Sequence, residues 1–267
     1  MELKELGKTG VKVSEIGLGT WRYSGGVEPL RRGISLGATF IDTAEMYNTE
    51  GVVGEAVRGR RDSVFIATKV LGSHLRYDDV IHTANNSLTR LGADCIDLYQ
   101  IHWPNSRVPI GETMRAMEDL VDMGKVRFIG VSNFSTRELQ EAQAAMKKHE
   151  IVSNQVLYNL ADREIERDLL PYCQRNKVTV IAYTPLASGS LASRPRLRRK
   201  QGTAVLERIA QETGKTVAQV ALNWCISRES VIAIPKSNRV ERVVENCGAS
   251  GWRLSSEQVE ALDRASG

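Results

Sequence analysis

The sequence predicts a (β/α)8 TIM barrel that forms a single domain over residues 1–267. Two observations predict this fold class. Short apolar runs alternate with helical segments from one end of the chain to the other, and no linker or change of composition divides them. With 42% hydrophobic and 25% charged residues the chain has the composition of an ordinary globular protein, and barrels of about 250 residues are common as single domains.

The strand-like runs consist mostly of consecutive Val, Ile, Leu and Phe. Such runs are typical of parallel strands, because both faces of each strand are buried. The eight predicted strands cover residues 15–19, 39–42, 64–69, 95–102, 126–131, 151–156, 178–183 and 231–234.

Helical periodicity is clearest where Ile81, Ala84, Leu88 and Leu91 fall on one face and Gly92 follows as a stop. Helix starts are marked by capping boxes, in which two side chains satisfy each other's free backbone N–H groups. The predicted boxes are Ser135 with Glu138, Thr216 with Gln219, and Ser255 with Gln258.

An open, doubly wound sheet is the rival fold. It normally carries a GxGxxG turn after its first strand, where the glycines let the backbone approach a dinucleotide. Here Gly17 and Gly19 are not followed by the third glycine, and no clear helix begins directly after them. The barrel is therefore favoured.

Composition argues against several function classes. The 36 basic and 32 acidic residues leave a net charge of +4, so nucleic acid is not expected as a partner. The N-terminus has no apolar stretch of the kind a secretory signal needs, and the longest uncharged stretch, residues 178–193, contains Pro185 and Gly189 and is too short to span a bilayer. We therefore expect no membrane segment.

The cysteines are far apart in the sequence, and none has a histidine or a second cysteine at metal-ligand spacing. We expect reduced thiols, a cytoplasmic location and no metal. The four residues are Cys95, Cys173, Cys225 and Cys247.

Polar residues close three consecutive predicted strands: Asp42, Lys69 and His102. In a barrel these strand ends meet at one face, where active sites lie. Each residue alone has an ordinary structural use, as a helix cap, a strand end or a turn. Together they are the groups that a proton-transfer site needs, and Tyr47 adds a phenol to the loop that follows Asp42.

Several ordered motifs resemble the aldo-keto reductase superfamily, and the resemblance covers nearly the whole chain. The motifs are FIDTAEMY at 40–47, ATK at 67–69, QIHWP at 100–104, GVSNF at 130–134 and IPKS at 234–237. The resemblance implies a barrel that binds a nicotinamide cofactor, NADPH or NADP⁺, without a separate dinucleotide-binding domain.

The resemblance implies that Tyr47 is the general acid that protonates a substrate carbonyl oxygen. His102 would orient that oxygen. Lys69, held by Asp42, would stabilise the phenolate form of Tyr47. We therefore expect the Lys69 ammonium group to lower the pKa of Tyr47 towards the pH at which the enzyme works.

The resemblance also assigns cofactor contacts. Ser132, Asn133 and Gln155 would bind the carboxamide, and Tyr183 would stack on the nicotinamide ring. Their structural alternatives are strand-end capping for the first three and core packing for the tyrosine. The remaining cofactor residues implied are Gly19, Thr20, Asp42, Pro185, Leu186, Ser188, Lys236, Ser237, Arg242, Glu245 and Asn246.

Among these, Lys236, Ser237 and Arg242 would grip the adenosine 2′-phosphate, which favours NADP(H) over NAD(H) because two cations neutralise a dianion. The alternative for Ser237 is a simple helix N-cap. The basic run at residues 194–200 is interpreted as a solvated loop that could also steer phosphates electrostatically.

Trp21 and Trp103 are predicted to form the substrate wall beside Tyr47 and His102, with Arg22 also over the site. Their alternative is packing at the barrel rim. The loop at 103–110 is short and the sequence ends at Gly267, soon after the last helix, so we expect an open pocket with broad selectivity.

The predicted function is therefore NADPH-dependent reduction of aldehydes and some ketones. The expected partner is a small-molecule carbonyl substrate, and the expected state is a monomer or weak oligomer. Two alternatives stay open: a regulatory barrel that binds NADPH with little turnover, and a barrel enzyme that uses Lys69 to form a Schiff base.

Overall fold

A computed structural model describes residues 1–191 and 201–266. Its main sheet contains eight strands that are hydrogen-bonded in sequence order, and every neighbouring pair is parallel. A two-stranded antiparallel hairpin precedes this sheet. The hairpin strands are β1 (Leu3–Glu5) and β2 (Lys12–Ser14), and the sheet strands are β3 (Leu18–Gly19), β4 (Phe40–Asp42), β5 (Phe65–Val70), β6 (Ile96–Ile101), β7 (Val126–Ser132), β8 (Ile151–Leu157), β9 (Thr179–Tyr183) and β10 (Val231–Ala233).

Backbone hydrogen bonds join the first and last strands of the sheet and close it into a barrel. Ile16 forms a parallel bridge with Ala233. The N–H of Gly17 donates to the carbonyl of Ala233 at 2.8 Å, and the N–H of Gly19 donates to Pro235 at 3.1 Å. The predicted (β/α)8 fold class is confirmed.

Helices follow the strands and cover the outside of the barrel. Gly92 ends one of them at φ +60°, as predicted. Both bonds of the capping boxes at Ser135 and Thr216 are present. The helices of the described residues are α1 (Glu28–Ser35), α2 (Glu50–Val57), α3 (Tyr77–Leu91), α4 (Ile110–Asp122), α5 (Thr136–Ala145), α6 (Leu169–Asn176), α7 (Gln201–Thr213), α8 (Val217–Ser227), α9 (Val240–Cys247) and α10 (Ser256–Ser266).

The apolar core has two parts. The larger part lies between the sheet and the helices. The smaller part fills the barrel interior, where Leu6 and Val13 of the hairpin segment pack with residues near the strand starts such as Phe40 and Phe65. The hairpin therefore covers the N-terminal end of the barrel, and the polar residues that follow the strands lie at the opposite end.

Some elements differ from the prediction. The first predicted strand, residues 15–19, is reduced to Leu18–Gly19, which pairs with β4, and the bridge from Ile16 to Ala233. The hairpin of β1 and β2 was not predicted. Two helices, α7 and α8, lie between β9 and β10. The basic run at residues 194–200 lies outside the described residues.

The four cysteines are free thiols, three of them buried. Within residues 1–191 and 201–266, no helix is both long and apolar enough to cross a membrane. In the same part of the chain, no group of three or more His, Cys, Asp or Glu residues is arranged to hold a metal ion.

Candidate active site

Three neighbouring strands deliver the polar side chains of the site. Asp42 is the last residue of β4, Lys69 is the second-last residue of β5, and His102 directly follows β6. Tyr47 comes from the loop after β4, at the end of a short 3-10 helix, Glu45–Tyr47. Parallel strand ends lie side by side at one end of a barrel, so these four side chains can meet there.

The four side chains are in contact. The Lys69 Nζ donates to both carboxylate oxygens of Asp42, at 2.7 and 2.9 Å, and to the carbonyl of Thr43 at 2.9 Å. The Tyr47 hydroxyl lies 3.4 Å from Lys69 Nζ and 3.2 Å from His102 Nε2. The phenol thus stands between an ammonium group and an imidazole.

Burial controls the charge state of the phenol. It raises the pKa of Tyr47 well above the ordinary value, and the carboxylate of Asp42 acts in the same direction. The expectation that Lys69 would lower this pKa is therefore wrong for the protein alone, because desolvation of the phenolate outweighs the nearby ammonium group. Tyr47 is protonated at neutral pH and can donate its proton.

Lys69 is completely buried, and burial lowers its pKa while the adjacent Asp42 opposes that shift. Burial and the charge of Lys69 lower the pKa of His102 to about 3. The imidazole is therefore neutral at physiological pH and carries one N–H. Its buried Nδ1 has no hydrogen-bond partner among residues 1–191 and 201–266.

A second row of polar groups connects to Asp42 from the next strands. The Tyr183 hydroxyl donates to Asn133 Oδ1 at 3.0 Å, and Asn133 Nδ2 donates to Ser132 Oγ at 3.1 Å. Ser132 Oγ in turn donates to the carbonyl of Gln155 at 2.9 Å, and Gln155 Nε2 donates to Asp42 Oδ2 at 2.7 Å. The four predicted carboxamide and nicotinamide contacts are thus one connected group.

A cavity of about 660 Å³ opens at this end of the barrel. Lys69 is not among the residues that line it. The predicted site residues that do line it are Gly19, Thr20, Trp21, Asp42, Tyr47, His102, Trp103, Ser132, Asn133, Gln155, Tyr183, Pro185, Leu186, Ser188 and Lys236.

The two tryptophans contact Tyr47 and His102, one each. Trp21 lies with its ring centroid 4.9 Å from that of Tyr47, and Trp103 stacks on His102 at 3.7 Å. Their side chains are 46% and 40% exposed, so they form the walls of an open mouth rather than a buried pocket.

Sequence reasoning missed five residues around the site. Thr184, Gly189, Ile234 and Pro235 line the cavity, and Gln100 Nε2 lies 3.5 Å from Asp42 Oδ2. A signal was available for four of them: Gln100, Ile234 and Pro235 belong to motifs already singled out, and Thr184 lies between the predicted Tyr183 and Pro185. The left-handed backbone of Thr184, at φ +52°, has no sequence signature.

The predicted phosphate-binding segment is only partly at the cavity. Lys236 is exposed and lines it, whereas Ser237, Arg242, Glu245 and Asn246 do not. Arg242 Nη1 pairs with Glu245 Oε2 at 2.6 Å. Ser237 is not the N-cap of α9, because the helix begins at Val240 and the Ser237 hydroxyl accepts the N–H of Arg239 at 3.1 Å.

The family model for the aldo/keto reductases matches residues 15–266. The chain belongs to the aldo/keto reductase family. It is 40% identical to the methylglyoxal reductase YeaE of Escherichia coli K12 over 96% of this chain and 92% of that protein. This aldo/keto reductase is therefore an oxidoreductase, and the resemblance drawn from its motifs is confirmed.

Solved structures agree with this assignment. An aldo-keto reductase of Klebsiella pneumoniae, in complex with NADPH, has a TM-score of 0.89 and 41% identity, and covers 99% of this chain and 95% of its own. The thermostable aldo-keto reductase Tm1743, in complex with the inhibitor epalrestat, has a TM-score of 0.92 and 42% identity over 99% of this chain and 100% of its own.

Proposed function

We propose that the protein reduces aldehydes and some ketones with NADPH, and that Tyr47 donates the proton to the carbonyl oxygen. The observation that carries the proposal is the position of the Tyr47 hydroxyl. It faces the cavity, 3.2 Å from His102 Nε2 and 3.4 Å from Lys69 Nζ.

The residues of the cavity suit a nicotinamide dinucleotide. An aromatic ring, Tyr183, offers a stacking surface, and the amides and hydroxyl of Asn133, Gln155 and Ser132 suit a carboxamide. The exposed cation of Lys236 lies on the same cavity and suits a phosphate. NADPH bound to these residues supplies the hydride that is added to the carbonyl carbon.

The proton step belongs to the chain's own residues. Tyr47 enters the reaction with its proton, because burial keeps its pKa high. The neutral His102 holds the carbonyl oxygen beside the phenol by a hydrogen bond. When the proton leaves, the negative charge forms on an oxygen 3.4 Å from the Lys69 ammonium, which stabilises it.

Asp42 keeps this cation in place. It accepts two hydrogen bonds from Lys69 and one from Gln155, so the charge of this buried carboxylate is compensated. Lys69 uses its donors on Asp42, Thr43 and Tyr47 and does not line the cavity, which argues against the Schiff-base alternative.

The mouth of the cavity sets few limits on the substrate. The exposed rings of Trp21 and Trp103 offer flat apolar walls but few polar contacts to a side chain. Two relatives carry names that point to small dicarbonyls: the E. coli methylglyoxal reductase, and a glyoxal reductase of Bacillus subtilis, 34% identical over 95% of this chain and 89% of that protein. Such compounds belong in the assay with simple aldehydes and ketones.

The decisive variant is Tyr47→Phe. We expect it to lower kcat/KM by about 10²- to 10⁴-fold, the usual contribution of a general acid, and to leave the Kd for NADPH within a few-fold. Lys69→Met should cause a loss of similar size, because the phenolate is no longer stabilised. Tyr172→Phe is the matched control, since Tyr172 lies on α6, away from the cavity.

Kinetics are followed by the loss of NADPH absorbance, and cofactor binding by fluorescence titration. Full turnover in Tyr47→Phe would remove this residue from the mechanism. NADPH binding by the wild type without turnover of any carbonyl compound would favour the regulatory barrel, and trapping of a substrate on Lys69 by borohydride would favour the Schiff-base enzyme.

A further inference from the structure

We propose that Glu45 is a positioning residue for the catalytic phenol: its carboxylate clamps the short helix that carries Tyr47 to the segment that follows β5. The inference rests on the proposed role of Tyr47 as the general acid. Glu45 lies two residues before Tyr47, in the same 3-10 helix.

The clamp consists of two hydrogen bonds from one carboxylate. Glu45 Oε2 accepts the backbone N–H of Leu71 at 2.9 Å, and Oε1 lies 2.8 Å from His74 Nδ1. The carboxylate is only 18% exposed, whereas His74 is 43% exposed. Each oxygen therefore has a defined partner on one segment, residues 71–74.

That segment is itself fixed to the loop that carries His102. The amide of Asn105 donates to the carbonyl of Gly72 at 2.7 Å. At the end of β5, the N–H of His102 donates to the carbonyl of Val70 at 3.0 Å. Glu45 thus ties the Tyr47 loop to the same backbone that positions His102, and the 3.2 Å contact between their side chains depends on both attachments.

The rest of the Tyr47 loop is held from a different side. Thr49 Oγ1 lies 2.8 Å from Thr43 Oγ1 and 2.9 Å from Thr20 Oγ1, so a row of threonine hydroxyls holds the two ends of the loop. Among the described contacts, Glu45 is the side chain of the 3-10 helix that bonds to the backbone after β5. Without the Glu45 contact, the threonine hydroxyls still hold the two ends of the loop, but the 3-10 helix between them can change its orientation.

Glu45 acts on Tyr47 through position and not through charge. The groups that raise the pKa of Tyr47 are the surrounding buried atoms, Asp42 and Tyr183, and Glu45 is not one of them. A displacement of about 1 Å is enough to cost about 10²-fold in rate when a reacting group must be aligned. The effect of the clamp should therefore appear in the proton-transfer step.

The first test compares Glu45→Ala with Glu45→Gln. Alanine removes both acceptors, and we expect kcat to fall by about 10- to 100-fold with the Kd for NADPH and the thermal midpoint close to wild type. Glutamine keeps one oxygen for the Leu71 N–H, so it should recover kcat to within about 5-fold of wild type. Glu55→Ala removes an exposed carboxylate from the neighbouring helix α2 and should leave kcat unchanged.

The second test is a double-mutant cycle with Tyr47→Phe. If Glu45 acts through the phenol, adding Glu45→Ala to Tyr47→Phe should change the residual rate by less than about 2-fold, because the group it positions is already absent. In the single Glu45→Ala variant the solvent deuterium isotope effect on kcat should increase, since a misplaced donor makes proton transfer more rate-limiting.

The outcomes separate this inference from the proposed function. If Tyr47→Phe is nearly inactive while Glu45→Ala keeps kcat within 2-fold of wild type, the clamp is overturned and the general acid stands. If Glu45→Ala lowers kcat by the same factor in the wild type and in Tyr47→Phe, the clamp is also overturned. If Glu45→Ala does not fold, His74→Ala removes one partner of the clamp instead. Wild-type kcat and a wild-type isotope effect in His74→Ala would then refute the positioning role. Full activity of Tyr47→Phe would instead overturn the proposed function.

Discussion

Burial favours the neutral form of both Tyr47 and His102, the two groups that we propose face the substrate carbonyl. It raises the pKa of the Tyr47 phenol and lowers that of the His102 imidazole. Tyr47, the proposed proton donor, therefore keeps its proton, and His102 carries no positive charge beside the Lys69 ammonium group. At the scale of single residues, the site therefore depends on the exclusion of water as much as on the identity of the side chains.

The His102 shift predicts a pH dependence of stability. Its pKa is about 3 in the folded protein and 6.5 ordinarily, so between these values the unfolded chain binds a proton that the folded protein does not. Stability from this residue is complete above pH 6.5 and is lost as the pH falls towards 3, by at most about 1.4 kcal/mol per pH unit.

Chemical denaturation of the wild type and of His102→Gln at several pH values between about 6.5 and 4 checks this prediction. Glutamine does not titrate, so the free energy of unfolding of the variant should depend less steeply on pH than that of the wild type. His82→Gln, which changes an exposed histidine of α3, is the control. Equal slopes for the wild type and His102→Gln would contradict the lowered pKa.

Helix α2 follows the Tyr47 loop and approaches the end of α3 very closely. A Cβ at Gly54 would lie 2.3 Å from the carbonyl oxygen of Leu91, whereas at Gly51 of the same helix nothing lies within 4 Å. Gly54→Ala should therefore destabilise the protein by about 1–3 kcal/mol, because the contact is with backbone. Gly51→Ala should stabilise it by about 0.4–1 kcal/mol.

The two alanine variants are compared by urea unfolding. They make the same chemical change in one helix, so their difference isolates the close approach to α3. Similar stabilities for both variants would mean that α2 can move away from Leu91.

Helix α9 is the element proposed to recognise the 2′-phosphate. Arg242 is 54% exposed and pairs with Glu245, and a phosphate can take over its guanidinium group because an ion pair with such an exposed partner contributes little stability. Arg242→Ala should reduce the preference for NADPH over NADH by about 10- to 150-fold, the effect of one or more charge-assisted hydrogen bonds of about 1.5–3 kcal/mol in total.

The measurement is the ratio of the dissociation constants of NADPH and NADH. Arg208→Ala is the matched control, because Arg208 is 55% exposed against 54% for Arg242 and also pairs with a glutamate of its own helix. An equal loss of affinity for both cofactors would remove Arg242 from phosphate recognition.

At the scale of the whole molecule, the cavity of the barrel is open at its entrance and closely packed at its base. Asp42, Lys69 and His102 at the base are buried, while Trp21 and Trp103 at the entrance are substantially exposed. An open mouth makes few contacts with the part of a substrate beyond the carbonyl group, and even one methylene in a closed apolar pocket is worth only about 1–3 kcal/mol.

Broad acceptance of substrates is the expected consequence. Small, aromatic and dicarbonyl aldehydes should be reduced with KM values near or above about 1 mM and with kcat/KM values within about two orders of magnitude of one another. A steady-state panel checks this. One substrate favoured by more than about 10⁴-fold would contradict it, and Arg22, which lines the cavity, is then the first residue to replace with alanine.

The sequence alone determined the order of the eight barrel strands and the barrel that they form, since apolar runs and helical periodicity are local properties, but it did not predict the hairpin of β1 and β2. It predicted Gly92 as a helix stop and the capping boxes at Ser135 and Thr216, because caps involve residues only a few positions apart. It also predicted that Asp42, Lys69 and His102 would converge, since parallel strands bring their ends together.

Tertiary structure decided the properties that depend on distant segments. The raised pKa of Tyr47, opposite to the expectation from Lys69 alone, follows from burial by the whole barrel end. The clamp of Glu45 on Leu71 joins residues 26 positions apart. Desolvation and cross-loop hydrogen bonds are set by three-dimensional packing, and a local sequence pattern contains neither of them.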